Sequence, residues 1–123
     1  MSDEAIKFKL NNPNLKYSSM SLEELQKLPV HNGVINFKIT ETSFLMLNIL
    51  NDDSSVVKYF WKEQHDLISL NLWYEISKEN GTFIDVGAHT GLYTLTSFKA
   101  NNDNNVISFE PHFMNMARLI TNL

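Results

Sequence analysis

The chain has 123 residues, with 10 basic and 14 acidic side chains and a formal net charge of -4. At 43% hydrophobic and 20% charged it has the composition of one folded domain or part of one, and it is too apolar for a disordered segment. No apolar run approaches the roughly 18 residues of a membrane-spanning helix, lysines are scattered singly instead of forming a nucleic-acid-binding stripe, and cysteine is absent.

The lack of cysteine excludes disulfides, thiolate zinc sites and a cysteine nucleophile. The opening Met-Ser-Asp-Glu has no basic segment leading into an apolar core, so no secretory leader is expected and the cytoplasm is the default compartment. Neither a membrane nor a nucleic-acid partner is expected.

Residues 1–19, broken by Asn11-Asn12-Pro13-Asn14, read as an extended, partly ordered arm. Ser21 and Glu24 have capping-box spacing, and Met20 and Leu25 are placed as a hydrophobic staple. Pro29 then ends a short helix. Asn32-Gly33 is a turn dipeptide, and residues 34–40 and 43–50 are expected to form two strands of a small hairpin or meander.

The acidic and hydroxyl residues from Asp52 to Ser55 suit the cap of a helix running to about Lys62. Leu67, Ile68, Leu72 and Ile76, with Trp73, suit a second helix buried along one face between His65 and Lys78, which Asn80-Gly81 would end with a left-handed glycine. Thr82 to Val86 is a short apolar strand, and Gly87 to Gly91 is a turn. A helix follows over Leu92 to Lys99, then a second buried strand over Val106 to Phe109 and a helix from Phe113 to Leu123. Strand, helix, strand and helix in this order make an α/β unit with parallel strands. The Asn-rich run 101–105 reads as a loop. The expected division is an N-terminal α+β extension over 1–50 and an α/β segment over 51–123.

Chemistry concentrates at Asp85-Val86-Gly87-Ala88-His89-Thr90-Gly91. In an open α/β sheet, ligands bind beyond the carboxyl ends of the strands, so this turn faces the pocket. Gly87 lets a ligand approach the backbone, and Gly91, at the start of the next helix, permits close packing of helix on strand. The amides at that helix start favour an anionic group. Glu110 lies nineteen residues beyond Gly91, where a carboxylate can accept the two hydroxyls of a ribose. Gly-x-x-x-Gly with His89 inside it fits a pyrophosphate poorly. S-adenosylmethionine has no phosphate, and Asp85 is placed to meet its ammonium directly or through water.

Asp85 to Leu95, Ser108-Phe109-Glu110-Pro111 and the closing Thr121-Asn122-Leu123 together resemble the FkbM-type methyltransferases. The resemblance is carried by residues 81–123. It implies a class I, S-adenosylmethionine-dependent enzyme that methylates a hydroxyl of a sugar or other small molecule. Asp85, Gly87, Ala88 and Gly91 would line the methionine end of the cofactor, Glu110 would hold its ribose, and Tyr93 would lie nearby. His89 stands where the family usually has Asn, which puts a side chain at the pocket mouth. Both residue types are enriched at positive φ. The resemblance also implies that 51–123 is the N-terminal half of a Rossmann-like domain with a seven-stranded sheet, of which this sequence contains the first two strands. The fold expected is therefore a class I methyltransferase fold cut after its second parallel strand and helix, with an unpaired apolar sheet edge open to self-association or a partner chain.

Other polar residues invite plainer readings. His31, His65 and His112 are expected in turns or at helix starts, and no histidine has metal-ligand spacing with another group. Glu63 reads as surface charge, and Asp52-Asp53 as an exposed turn and cap. Phe60, Trp61, Trp73 and Tyr74 read as packing residues. No catalytic base is identifiable. The competing functions are a non-catalytic cofactor-binding or interaction module and, more remotely, a nicotinamide-dependent oxidoreductase.

Overall fold

The computed structural model describes residues 3–63 and 67–123. The chain divides into two compact units, Met1–Ile35 with Leu47–His65 and Asn36–Met46 with Asp66–Leu123. It is an α/β structure with two small sheets, one of them a parallel pair. No helix among the described residues is long and apolar enough to cross a membrane.

In the first unit the N-terminal segment is not an extended arm. Helix α1 spans Glu4–Asn11, capped by the Asp3 carboxylate, which accepts the N–H groups of Ala5 and Ile6 at 3.0 and 3.1 Å. A helix of this length is marginal by itself. It is held because Ala5 is fully buried and Phe8 meets the edge of Trp61, with ring centroids 6.1 Å apart. Tyr17, opening a 3-10 turn over Tyr17–Ser19, leans on the same indole at 5.2 Å. Trp61 belongs to a helix some fifty residues further on, so local spacing could not announce this contact.

Helix α2 (Leu22–Gln26) has the expected capping box: Ser21 Oγ accepts the Glu24 N–H at 3.2 Å, and Glu24 Oε2 accepts the Ser21 N–H at 2.7 Å. Met20 packs with Leu25, Val57 and Trp61 in one cluster. Helix α3 (Ser54–Lys62) starts at Asp53, whose Oδ1 accepts the N–H groups of Ser55 and Val56. Asp53 is therefore a cap as expected, but a buried one. α3 packs on α2 and the 3-10 turn. The helix ends at Glu63 in the left-handed region with φ 57°. Lys9 Nζ ties α1 to this end through the Phe60 carbonyl at 2.9 Å and Glu63 Oε1 at 3.0 Å.

His31 also departs from its expected solvated turn. It is 8% exposed, stacked on Phe60 with centroids 4.5 Å apart, and its Nδ1 lies 3.0 Å from Asp3 Oδ2. Strands β1 (Gly33–Ile39) and β2 (Thr42–Asn48) form the two-stranded sheet. Their two-residue connection, Thr40-Glu41, requires antiparallel pairing, and Thr40 absorbs the reversal at φ 46°. Asn32-Gly33 thus leads straight into β1 and is not the hairpin turn. Ile35, Phe37 and Ile39 share the buried face of β1, where Phe37 stacks on Phe44 at 5.7 Å.

The second unit continues through α4 (Leu67–Ser77), β3 (Thr82–Val86), α5 (Leu92–Ala100), β4 (Asn105–Phe109) and α6 (Phe113–Asn122). The helix start expected at His65 lies outside the described residues. The face expected to be buried is instead exposed at Ile68, Leu72 and Ile76, and α4 turns Leu70, Tyr74 and Ser77 inward while it packs on α5. Gly81 is not a left-handed cap; positive-φ glycines occur at 87 and 91. The end of α4 is instead held from the Asn-rich loop. Asn104 Nδ2 donates to the carbonyls of Ser77 and Ser97, its Oδ1 accepts the Gly81 N–H at 3.2 Å, and Asn101 donates to the Lys78 carbonyl. Trp73 joins α4 to α5, its Nε1–H shared between the Tyr93 carbonyl at 3.0 Å and Ser97 Oγ at 2.7 Å.

β3 and β4 pair in parallel, with Phe83 beside Val106 and Asp85 beside Ser108. Those four residues are half-buried and α5 packs against both strands, so Val106 to Phe109 is not the buried strand expected. The alternate residues form an apolar face that remains open: Ile84 is 57% exposed, Val86 79%, Ile107 42% and Phe109 56%. A two-stranded sheet with helix packing on one face buries only every second residue.

Candidate functional site

The carboxyl ends of β3 and β4 lie side by side, and two connections leave them, 87–91 and 110–112. The first is stapled to the second strand: the N–H groups of Gly87 and Ala88 both donate to the Phe109 carbonyl, at 2.9 and 3.0 Å. Within it, Gly87, His89 and Gly91 take positive φ values of 82°, 51° and 98°. The expectation that histidine is tolerated in this conformation is met at position 89.

The two glycines serve different ends. A Cβ on Gly87 would find no atom within 4 Å, so open space lies over the backbone at the strand terminus. At Gly91 a Cβ would lie 3.3 Å from Leu119 Cγ. The close approach at Gly91 is therefore to α6, not to a strand. Gly91 is also the N-cap of α5 and supplies no side-chain acceptor to it. Asn122 completes the frame by donating from Nδ2 to the Thr90 carbonyl at 2.9 Å.

Glu110 follows β4 and folds over this turn. Its Oε2 accepts the His89 N–H and its Oε1 the His112 N–H, each at 2.8 Å. The His112 bond, then the His89 bond, the Asn115 side chain and the His89 imidazole outweigh desolvation and hold the Glu110 carboxyl below the usual glutamate range. A carboxylate has about four lone-pair sites, and His112, His89 and the Asn115 side chain occupy three, so Glu110 can accept one further donor without releasing the turn.

Asp85, on the half-buried face of β3, accepts the Thr94 hydroxyl at Oδ2, 2.7 Å away, and Thr94 Oγ1 is also 2.7 Å from Ser108 Oγ. The structure thus brings Asp85, Gly87, Ala88, His89, Gly91 and Glu110 together around one turn. Tyr93 is placed differently, its half-buried ring meeting the edge of Trp73 at 5.8 Å. Glu63, at the end of α3, is paired with Lys9. Among the described residues no group of three or more His, Cys, Asp or Glu converges in a way that could hold a metal ion.

Two polar residues of this neighbourhood, Thr94 and Ser108, lie in the stretches that carry the resemblance but receive no role from the sequence. Only the parallel register, which sets Ser108 beside Asp85, and the docking of α5 over both reveal them. Compared with protein-family models, curated proteins and solved structures, the chain gives no significant match.

Proposed function

We propose that residues 81–123 form the opening strands of a Rossmann-like fold that binds S-adenosylmethionine, and that the chain is the cofactor-binding part of a methyltransferase acting on a sugar or small-molecule hydroxyl. The observation that carries this reading is the convergence, beyond the ends of two parallel strands, of Asp85, the open backbone at Gly87 and the Glu110 carboxylate. Two acids flanking an unobstructed glycine turn suit a ligand with a diol at one end and an ammonium at the other.

The residues fit that cofactor on several counts. The space over Gly87 admits a ligand against the main chain. The N-terminus of α5, where Gly91 offers no side-chain cap, can receive a carboxylate. Glu110 is held ionised and keeps a lone pair for a ribose hydroxyl. Asp85 is the acid for the ammonium. When bound, S-adenosylmethionine supplies an electrophilic methyl group on a sulfonium. What these residues contribute is binding and orientation, which can account for much of the acceleration of an in-line displacement.

The test is thermal unfolding of the chain with and without S-adenosylhomocysteine. Binding to the folded form alone raises stability by about 2.7 kcal/mol at a hundredfold excess over Kd. A cooperative melt that moves upward is the expected result; a melt unmoved at saturating concentrations overturns the reading.

One observation favours a second reading, a non-catalytic interaction module. The open face of Ile84, Val86, Ile107 and Phe109 is apolar, and among the described residues β4 is the sheet neighbour of β3. Such a face and edge suit a partner chain or self-association. Concentration-dependent association in light scattering, together with no response to S-adenosylhomocysteine, would favour it.

A further inference from the structure

Asp85 and Ser108 are register partners on adjacent parallel strands, so their side chains leave the sheet on the same face. Thr94, in the first turn of α5 and 2% exposed, sits over both. The hydroxyl of a threonine carries a single proton. With that proton given to Asp85 Oδ2 at 2.7 Å, the second 2.7 Å contact is satisfied only when Ser108 donates to Thr94 Oγ1. The bonds therefore run in one direction, from Ser108 through Thr94 to Asp85, and end on a carboxylate. Successive bonds of this kind polarise one another. Thr94 engages Oδ2, and Oδ1 keeps its lone pairs.

We propose that Thr94 is a positioning residue: together with Ser108 it locks the rotamer of Asp85 so that the free carboxylate oxygen receives the ammonium of the ligand's amino-acid tail. This rests on the cofactor reading above and adds to it the group that aims the acid. The role requires a buried hydroxyl at position 94. The β-branched frame alone, as in valine, would fill the same space and leave both Asp85 and Ser108 without their partner. Ser108 is the outer end of the relay, and its loss leaves Thr94 still able to donate.

The test compares two ligands on the full chain by titration calorimetry. S-adenosylhomocysteine carries the amino-acid tail; methylthioadenosine has the same nucleoside thioether without it. Thr94→Val is expected to weaken S-adenosylhomocysteine about tenfold and methylthioadenosine by less than about twofold. Thr94→Ser restores the hydroxyl and the wild-type ratio. Asp85→Asn combined with Thr94→Val binds no more weakly than Asp85→Asn alone, because Thr94 acts through Asp85.

Equal weakening of both ligands by Thr94→Val would mean a structural role and overturns the proposal, as does unchanged affinity for both. Wild-type protein that binds neither ligand overturns the cofactor reading and this proposal with it. Wild-type binding with a silent Thr94→Val overturns this proposal alone. Should Thr94→Val fail to give a cooperative melt, the half-buried Ser108→Ala carries the same comparison. A loss confined to S-adenosylhomocysteine, about threefold, then supports the relay, and a loss shared by both ligands or by neither overturns it.

Discussion

The Glu110 carboxylate accepts the backbone N–H of His89 at 2.8 Å through one oxygen while the other accepts His112 at the same distance. A single acid thereby joins the turn after β3 to the start of α6. The His89 N–H that it holds belongs to a residue in the left-handed region, with φ 51°. Binding and architecture share one side chain here, so their contributions need separate measurement.

Glu110→Ala is expected to raise hydrogen exchange at the His89 and His112 amides by about tenfold or more, with little change at the Gly87 and Ala88 amides bonded to Phe109. Exchange that rises equally at all four would show that the turn opens as a unit and does not hinge on Glu110.

The same bonds fix the sign of a pH effect. Glu110 ionises more readily folded than unfolded, where its ordinary value is 4.5, chiefly because His112 and His89 donate to the carboxylate. The group that stabilises is the ionised one, so its contribution is fully present above 4.5 and is lost as pH falls through the lower folded value. Asp3 acts in the same direction: desolvation opposes its ionisation, but the N–H groups of Ile6, Asn32 and Ala5 and the nearby His31 outweigh it. Urea midpoints measured from neutral pH down through the carboxylate range should fall less steeply for Glu110→Gln than for wild type. Parallel curves would refute the assignment.

Gly87 and Gly91 both have positive φ, yet alanine should be tolerated unequally. At Gly87 the cost is the left-handed backbone alone, about 1–2 kcal/mol, since nothing lies within 4 Å of a Cβ. At Gly91 the Leu119 contact at 3.3 Å adds to it, for about 2–3 kcal/mol in total. Equilibrium unfolding of the two variants should show the difference, and Leu119→Ala should shrink it in a double-mutant cycle.

Within the run Asn101 to Asn105, one residue should matter far more than its neighbours. Asn104 is 5% exposed and its side chain makes three hydrogen bonds, to Ser77, Ser97 and Gly81. Asn104→Ala should cost about 2–4 kcal/mol, whereas exposed Asn102→Ala should stay within about 0.5 kcal/mol. Comparable losses for both would mean that the loop, not this side chain, anchors the end of α4.

Local signals in the chain determined much of this structure. The Ser21–Glu24 box, the Asp53 cap, the alternation of β1 and the order of elements from Thr82 onward all depend on residues a few positions apart. So does the grouping of Asp85, Gly87, His89 and Gly91, which one turn brings together. What only the tertiary structure decided involves partners distant in sequence. α1 is a helix because Trp61 offers it a surface; His31 is buried because Phe60 and Asp3 enclose it; Gly81 needs no left-handed twist because Asn104 supplies the cap. Glu110 was legible as an acid at the end of β4, but not its grip on two backbone amides. Thr94 and Ser108 had no legible role, because their importance comes from the register that sets Asp85 beside Ser108. Spacing along a chain encodes helix faces and turns; which strand residues stand side by side is settled only when the strands pair.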